Sequence, residues 1–179
     1  MAPPLLASRR AVVAAAVMLA TAVPVPAACG TNTATPASPA APAAAANAAT
    51  QVTTITGSGM RVPGAEPTAL FFFSVGCGEC AGGAKSLAQA ARTVGGKAEF
   101  LAVDMDPSES TQDVTSFLKT VDGADLPAAI DTGAALTQRF GISALSTLIV
   151  VAPSGKVTYR ATDPSPQAIT TALDQAVAQ

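Results

Sequence analysis

The sequence predicts an α/β domain built as a sandwich around a central mixed β-sheet. From residue 51 onwards, short apolar runs of strand length alternate with segments of helical periodicity. Residues 68–75 form a continuous apolar run, as expected of a central strand that is covered on both faces. Near the end of the chain, Pro153-Ser154-Gly155 predicts a tight turn between two strands. Alternating strands and helices with one such hairpin favour a mixed sheet between helical layers.

The first half of the domain is predicted to be a strand, a loop, a strand and a helix. Residues 52–56 alternate in a β-like way, and the Gly and Pro residues after them indicate a loop. The central strand, 68–75, leads into a helix over 78–94, because apolar residues recur on one helical face and two glycines close it. Gly82 and Gly83 weaken this helix, and they indicate a kink or a close contact.

The second half continues the alternation. Ser108 and Asp131 are candidate N-caps, because short polar side chains accept hydrogen bonds from the free N–H groups of a helix start. The predicted elements are a strand at 100–103, a helix at 109–121, a strand at 128–130, a helix ending at 140, strands at 148–151 and 156–160, and a helix at 165–178.

Composition excludes several classes of function. The 179 residues carry a net charge of −2 and have no basic stripe, so nucleic acid is not expected as a partner. The chain contains no His, which removes the commonest general base and the commonest metal ligand. Catalysis by a Ser-His or Cys-His pair is therefore impossible within this chain, and its chemistry must come from thiols, carboxylates or amines.

The N-terminus is predicted to be an export signal covering residues 1–28. Arg9 and Arg10 precede an apolar run at 11–23, and a Pro-containing segment with small residues follows. A helix of 13 residues rises only about 20 Å, too short for roughly 30 Å of hydrocarbon, so a cleaved signal is favoured over a membrane span. Arg9-Arg10 in this context is also similar to a twin-arginine export motif.

A lipid anchor and a tether are predicted next. Ala27-Ala28-Cys29 resembles a bacterial lipobox, whose cysteine is lipidated, although Pro26 departs from that pattern. The alternative is simple cleavage nearby. The Ala-, Pro- and Thr-rich segment 29–50 has no apolar periodicity, so we interpret it as a tether for the domain at 51–179. These features place the domain on the outer face of the bacterial cytoplasmic membrane, or in the periplasm or extracellular space.

The motif Cys77-Gly78-Glu79-Cys80 is the strongest indication of function. It follows the central strand and opens the predicted helix, and a CxxC in that setting is typical of a pair that exchanges disulfides. The helix dipole stabilises a thiolate at Cys77, which would attack, while Cys80 resolves the mixed disulfide. Because Glu79 opposes thiolate formation, we predict a reducing couple, nearer about −270 mV than about −120 mV.

The cysteine pair has three other interpretations. A four-residue loop makes a weak structural staple of about 2 kcal/mol, against about 4.7 kcal/mol for a loop of 100 residues. Two thiolates could instead bind a soft ion such as copper(I), which would make the domain a metal-delivery module. A third alternative is a docking domain without catalysis.

Elsewhere, Asp104 and Asp106 are interpreted as caps of a strand end and of the next helix rather than as a cation site.

This order of elements and four motifs resemble the thioredoxin fold, a three-layer sandwich with a central mixed sheet. The closest resemblance is to the TlpA/ResA-like exported thiol-disulfide oxidoreductases, over roughly residues 66–178. The motifs are the strand with the CxxC, the segment 117–131, the segment 138–147 and the hairpin at 151–157. The resemblance implies protein disulfide or thiol substrates, a membrane protein that recycles the pair, no cofactor, no metal and a monomer.

The sequence departs from that family at three positions. Gly76 replaces an aromatic residue before the first cysteine, and Phe71 replaces a buried carboxylate or Asn. Ser146 stands at the family's cis-proline, which faces the dithiol. A cis bond before a residue other than proline costs about 2.5–4 kcal/mol, which favours a trans Leu145–Ser146 bond but leaves the isomer open. The resemblance implies that Gly76, Leu145 and Ser146 line the groove for substrate, which this change would reshape.

Overall fold

The computed structural model describes residues 48–177, and it confirms the predicted α/β class. A short 3-10 helix, Gly95–Lys97, follows the first α-helix. The other elements, in chain order, are β1 (Thr50–Thr53), β2 (Gly59–Val62), β3 (Thr68–Phe73), α1 (Cys80–Val94), β4 (Glu99–Asp104), α2 (Thr111–Thr120), β5 (Ala128–Ile130), α3 (Ala135–Arg139), β6 (Thr147–Val151), β7 (Val157–Thr162) and α4 (Pro166–Ala176).

The main sheet has five strands in the order β5-β4-β3-β6-β7. β3 is central: it runs parallel to β4 and antiparallel to β6, so the predicted mixed sheet is confirmed. All six residues of β3 are buried, and successive side chains point to opposite faces. Phe71 and Phe73 join the core shared with α1, α2 and α4, whereas Leu70 and Phe72 join the core shared with α3. Helices on both faces make this the three-layer sandwich expected from the sequence.

A second, two-stranded sheet corrects the prediction for the start of the domain. β1 lies at Thr50–Thr53 rather than 52–56, and it pairs antiparallel with β2, in a segment predicted to be loop. The hydroxyl of Thr54 closes the turn between them, because it accepts from the N–H of Ser58 at 3.1 Å. The glycines of this segment favoured a loop interpretation. Gly59 nevertheless lies in a strand, at an exposed position where β1 pairs with its backbone.

The caps of the two short helices differ in part from the prediction. Helix α2 is capped by Ser110, not Ser108, through a capping box in which Ser110 and Asp113 each bind the other's backbone N–H. The helix therefore begins at residue 111, and Glu109 lies in the preceding loop. Asp131 binds the start of α3 as expected, since its carboxylate accepts from the N–H of Thr137 at 2.8 Å, although Ala134 occupies the N-cap position.

The predicted signal peptide (1–28), Cys29 and most of the tether (29–50) lie outside the described residues. Within residues 48–177, none of the helices combines the length and the apolar character that crossing a membrane requires.

Candidate redox site

The CxxC cysteines lie where β3 gives way to α1. β3 ends at Phe73, and a turn follows in which the N–H of Cys77 donates to the carbonyl of Ser74 at 3.1 Å. The N–H of Cys80 donates to the carbonyl of Cys77, also at 3.1 Å. Helix α1 begins at Cys80 rather than residue 78, so Cys77 lies in the turn before the helix and not on its first turn. Its backbone belongs to that hydrogen-bonded turn, which delays the helix by two residues.

The two cysteines form a disulfide, and their Cα atoms are 5.4 Å apart. They differ in exposure. Cys80 is 0% exposed and belongs to the core cluster that includes Ala84, whereas Cys77 is half-buried and lies between the exposed residues Gly76 and Gly78. A molecule that approaches from solvent therefore meets Cys77 first, with Cys80 covered behind it.

The N-terminus of α1 faces this pair. The helix has 15 residues, and its first N–H groups have no partners of their own within the helix. Their partial positive charge favours an anion at the helix start. A thiolate formed when the disulfide opens would experience that field, which lowers the pKa of a cysteine so placed.

Ser146 lies beside the same helix, at the entrance to β6. It is almost fully buried, and its hydroxyl donates to the carboxylate of Asp163. Its carbonyl accepts from the N–H of Asp163 at 3.1 Å. Within the described residues, the cis peptide bond is Val62–Pro63, so the bond before Ser146 is trans, and Ser146 has a positive φ of 60°. Leu145, just before it, is 39% exposed.

Gly83 of α1 lies close to both Ser146 and Phe71 of β3. A Cβ placed on Gly83 would lie 2.4 Å from Cε2 of Phe71 and 3.2 Å from Oγ of Ser146. The close contact anticipated for the glycine pair is therefore made by Gly83, whereas nothing lies within 4 Å of a Cβ on Gly82. Phe71 stands where the resembled family has a smaller polar residue. Its ring lies where a Cβ on residue 83 of α1 would project, so only glycine fits at that position.

Glu109 is a residue of this site that the sequence did not indicate. Its Oε2 accepts from the N–H of Val75 at 2.8 Å, and its Oε1 accepts from the hydroxyl of Ser74 at 2.9 Å and the N–H of Gly76 at 3.3 Å. The one sequence signal for the position of Glu109 is the Ser-x-x-Asp capping box at Ser110. This box starts the helix at residue 111 and therefore leaves Glu109 in the preceding loop.

Asp104 lies beside Glu109 and is inaccessible to solvent. Its Oδ1 accepts from the N–H of Asp106 at 3.0 Å, so the predicted capping of the strand end is confirmed, while its Oδ2 has no hydrogen-bond partner. The predicted capping of the next helix by Asp106 is wrong, because its Oδ1 accepts from the N–H of Ser108 at 2.9 Å in the loop and Ser110 caps α2. Burial raises the pKa of Asp104 to about 7, and the nearby carboxylates of Glu109 and Asp106 add to that rise. Among residues 48–177, no group of three or more His, Cys, Asp or Glu side chains is arranged to hold a metal ion.

Comparison with known families agrees with this architecture. The sequence model of the thioredoxin-like family matches residues 64–157, which is more than half of the chain. A protein of Streptomyces lividans named "Mercury resistance operon ORF3" is 64% identical over 120 residues. That match covers 65% of this chain and 64% of the relative, so the chain spans just under two thirds of the relative's length.

Solved structures share the fold at low sequence identity. MTB DsbF, in its mixed oxidized and reduced forms, superimposes with a TM-score of 0.64 at 18% identity, covering 74% of this chain and 98% of that one. The exposed lipoprotein thioredoxin Etrx1 of Streptococcus pneumoniae gives a TM-score of 0.62 at 19% identity, covering 72% of this chain and 99% of that one.

Proposed function

We propose, from the premise that this chain belongs to the thioredoxin-like family, that it is a thiol-disulfide oxidoreductase acting through Cys77 and Cys80 outside the cytoplasm. The observation that carries the proposal is the unequal exposure of a disulfide at a helix start, with Cys77 half-buried and Cys80 covered. A pair closed over only two intervening residues contributes little as a staple, so exchange is the better account of it.

The reaction moves two electrons and two protons. In the reduced protein, the Cys77 thiolate attacks one sulfur of a substrate disulfide and forms a mixed disulfide, and the other substrate sulfur leaves as a thiolate that takes up a proton. The Cys80 thiol then loses its proton and attacks the sulfur of Cys77. This step closes the internal disulfide and releases the second substrate thiol.

The proposed direction is reduction of the partner. Glu79 lies between the cysteines and is exposed, and no Lys or His stands at the two intervening positions. A negative neighbour makes the thiolate, and with it the reduced form, less favourable. We therefore expect a reduction potential nearer about −270 mV than about −120 mV. A membrane thiol-recycling protein would return electrons to the pair, without a bound cofactor and with the protein acting as a monomer.

Substrate recognition is assigned to Gly76, Leu145 and Ser146. Gly76 leaves open the surface beside Cys77, and the exposed Leu145 offers an apolar contact for a peptide. Ser146 holds the adjoining backbone through Asp163. With the trans bond at this position, a substrate peptide would pair with a differently shaped backbone than in relatives with a cis-proline.

The proposed location is the outer face of the bacterial cytoplasmic membrane. The signal-like segment 1–28, the lipobox-like Cys29 and the tether 29–50 support it. Etrx1, with which this chain shares its fold, is named an exposed lipoprotein. If Cys29 is not lipidated, the same signal would release the domain at 51–179 into the periplasm or the medium.

Trapping of partners tests this function. In a Cys29→Ser background, the Cys80→Ser variant should retain mixed disulfides with partner proteins, because the resolving thiol is absent. The matched control replaces both Cys77 and Cys80 with Ser and should trap nothing. A redox titration of the purified protein gives the potential. A Cys80→Ser variant that captures no more than the control would contradict exchange through Cys77.

We propose binding of a thiophilic metal ion as a second candidate function. The supporting observation is the relative named for a mercury resistance operon, which is 64% identical over 120 residues. Once reduced, Cys77 and Cys80 would offer two thiolates, and thiolates are soft ligands that suit soft cations such as Hg²⁺ or Cu⁺. Exchange and metal binding would use the same two sulfurs in the same reduced state.

Titration with Hg²⁺ tests the second candidate. The reduced protein in a Cys29→Ser background should bind one ion per chain, and the oxidised protein should bind none. Cys77→Ser and Cys80→Ser variants should each bind more weakly, because each leaves one thiolate. Equal binding by the oxidised protein would reject a dithiol site, whereas partner trapping would be unaffected by that result.

A further inference from the structure

The carboxylate of Glu109 binds every residue between the end of β3 and Cys77. It accepts from the hydroxyl of Ser74 at 2.9 Å, from the N–H of Val75 at 2.8 Å and from the N–H of Gly76 at 3.3 Å. Two successive N–H groups and a hydroxyl that converge on one anion resemble the backbone anion sites known as nests. Here the anion is supplied by a loop that is distant in sequence.

This segment has few other restraints, and one of them is internal: the N–H of Gly76 also donates to the hydroxyl of Ser74 at 3.2 Å. β3 pairs with its neighbours only as far as Phe73, and Gly76 has no side chain that could fix its position. A glycine explores more backbone conformations than any other residue. The turn also contains the hydrogen bond from the N–H of Cys77 to the carbonyl of Ser74. Because Glu109 restrains Ser74 and Gly76 together, it fixes the turn in which Cys77 lies.

We propose that Glu109 is a positioning residue for disulfide exchange: its carboxylate holds the backbone of residues 74–76, so that Cys77 is presented in one orientation at the start of α1. The proposal rests on the proposed function, since it concerns the thiol that attacks there. Glu109 also places a negative charge one residue from Cys77, because its Oε1 is bound to the N–H of Gly76.

Asp104 is the buried carboxyl group beside Glu109. The carboxyl groups that face this cluster are Asp104, at the end of β4, and Asp106, in the loop before α2. Asp104 is fully buried with an unpartnered Oδ2, which is the favoured place for a proton. Burial, followed by the charge of Glu109, raises the pKa of Asp104 to about 7. Asp104 therefore stays neutral to a higher pH than an exposed carboxyl group does.

Alkylation of Cys77 by iodoacetamide across a pH series tests the proposal in the reduced full chain, with Cys29→Ser and Cys80→Ser as the background. Glu109→Gln keeps the shape and one acceptor but removes the charge, so the pKa of the Cys77 thiol should fall. Asp113→Asn is the matched control, because it removes an acidic group that binds Ser110 and not the Cys77 turn. Its profile should coincide with that of the background.

Reduction of a small disulfide, dithiobis-nitrobenzoate, supplies the second measurement, with Cys80 restored. Glu109→Ala should slow it by roughly tenfold, because it removes charge-assisted hydrogen bonds from the turn. Glu109→Gln should recover part of the rate. If Glu109→Ala does not fold, the alkylation profile of Glu109→Gln decides.

Two results would overturn the positioning role: unchanged alkylation profiles and rates in the Glu109 variants, or an equal change in Asp113→Asn. The failure of the proposed function looks different. In that case, the parent protein would trap no partner, while the alkylation profile would still change with Glu109.

Discussion

Replacing Asp104 with asparagine is expected to change the pH dependence of the stability of the oxidised protein. In the folded chain, burial raises the pKa of Asp104 from 3.8 to about 7, with a further contribution from Glu109. The unfolded chain loses this proton near pH 3.8. Between the two values the folded state binds more protons, so the free energy of unfolding must fall as the pH rises. Stabilisation from the neutral Asp104 is therefore complete at acid pH and is lost as the pH approaches 7.

The size of the effect follows from the shift in pKa. One pKa unit corresponds to about 1.4 kcal/mol, so a rise of roughly 3 units sets an upper limit of about 4 kcal/mol. Asparagine is neutral at every pH and keeps an acceptor at the position of Oδ1 for the N–H of Asp106. The variant should therefore gain up to that amount relative to the parent between pH 3.8 and about 7.

Urea denaturation at a series of pH values measures this difference. The disulfide is kept closed so that Cys77 and Cys80 do not titrate, and the chain contains no His that would titrate in this range. Asp113→Asn serves as the control with the opposite sign. Hydrogen bonds from Ser110 lower the pKa of Asp113, so the stabilisation that its carboxylate gives the folded state is present at neutral pH and is lost as the pH falls.

Parallel stability curves for the parent and Asp104→Asn over this range would refute the reasoning. Such a result would mean that Asp104 carries its charge in the folded protein as readily as in the unfolded chain. The unpartnered Oδ2 would then need a donor that the described residues do not provide.

Three further outcomes are expected. Gly83→Ala should destabilise the protein by about 1–3 kcal/mol in the same denaturation assay, because its Cβ meets Phe71. Gly82→Ala should be neutral or stabilising by up to about 1 kcal/mol. Equal effects of the two substitutions would contradict the close approach of Gly83 to Phe71. Glu79→Gln should raise the reduction potential by about 10–30 mV in a glutathione titration, since removal of the charge favours the thiolate, and a lower potential would reverse that argument. Cys29→Ser should move the full-length protein from the membrane to the soluble fraction, while Cys77→Ser stays with the membrane; identical fractionation of the two would reject lipidation.

Patterns that are local in sequence predicted most of the fold. The apolar run of β3 and the alternation of strands and helices require only residues that are close in the chain, so the α/β sandwich with a mixed sheet followed from them, and the resemblance to the thioredoxin fold implied its three layers. The CxxC was recognisable because its position between β3 and α1 depends on the same short segment. The intrinsic cost of a cis bond at a residue other than proline favoured the trans bond before Ser146, but the sequence alone left the isomer open.

Features that depend on distant contacts were not predicted. Glu109 reaches Val75 across 34 residues of sequence, and no periodicity encodes that contact. The glycines around β2 favour a loop, and the strand forms because β1 pairs with its backbone, which propensity alone does not include. The glycine pair in α1 indicates a kink or a close contact, but the neighbours of Gly83 are Phe71 in β3 and Ser146 just before β6, and no local pattern names them.

Phe71 and Ser146 both border the space beside Gly83, so residue 83 must be small while these two neighbours stand there. A side chain borrowed from a relative at one of these positions would meet neighbours suited to a different occupant. Chimeras between this chain and relatives that have a proline at position 146 should therefore exchange all three residues in a single step. Reconstructed ancestors that differ at only one of them should be the least stable members of such a series.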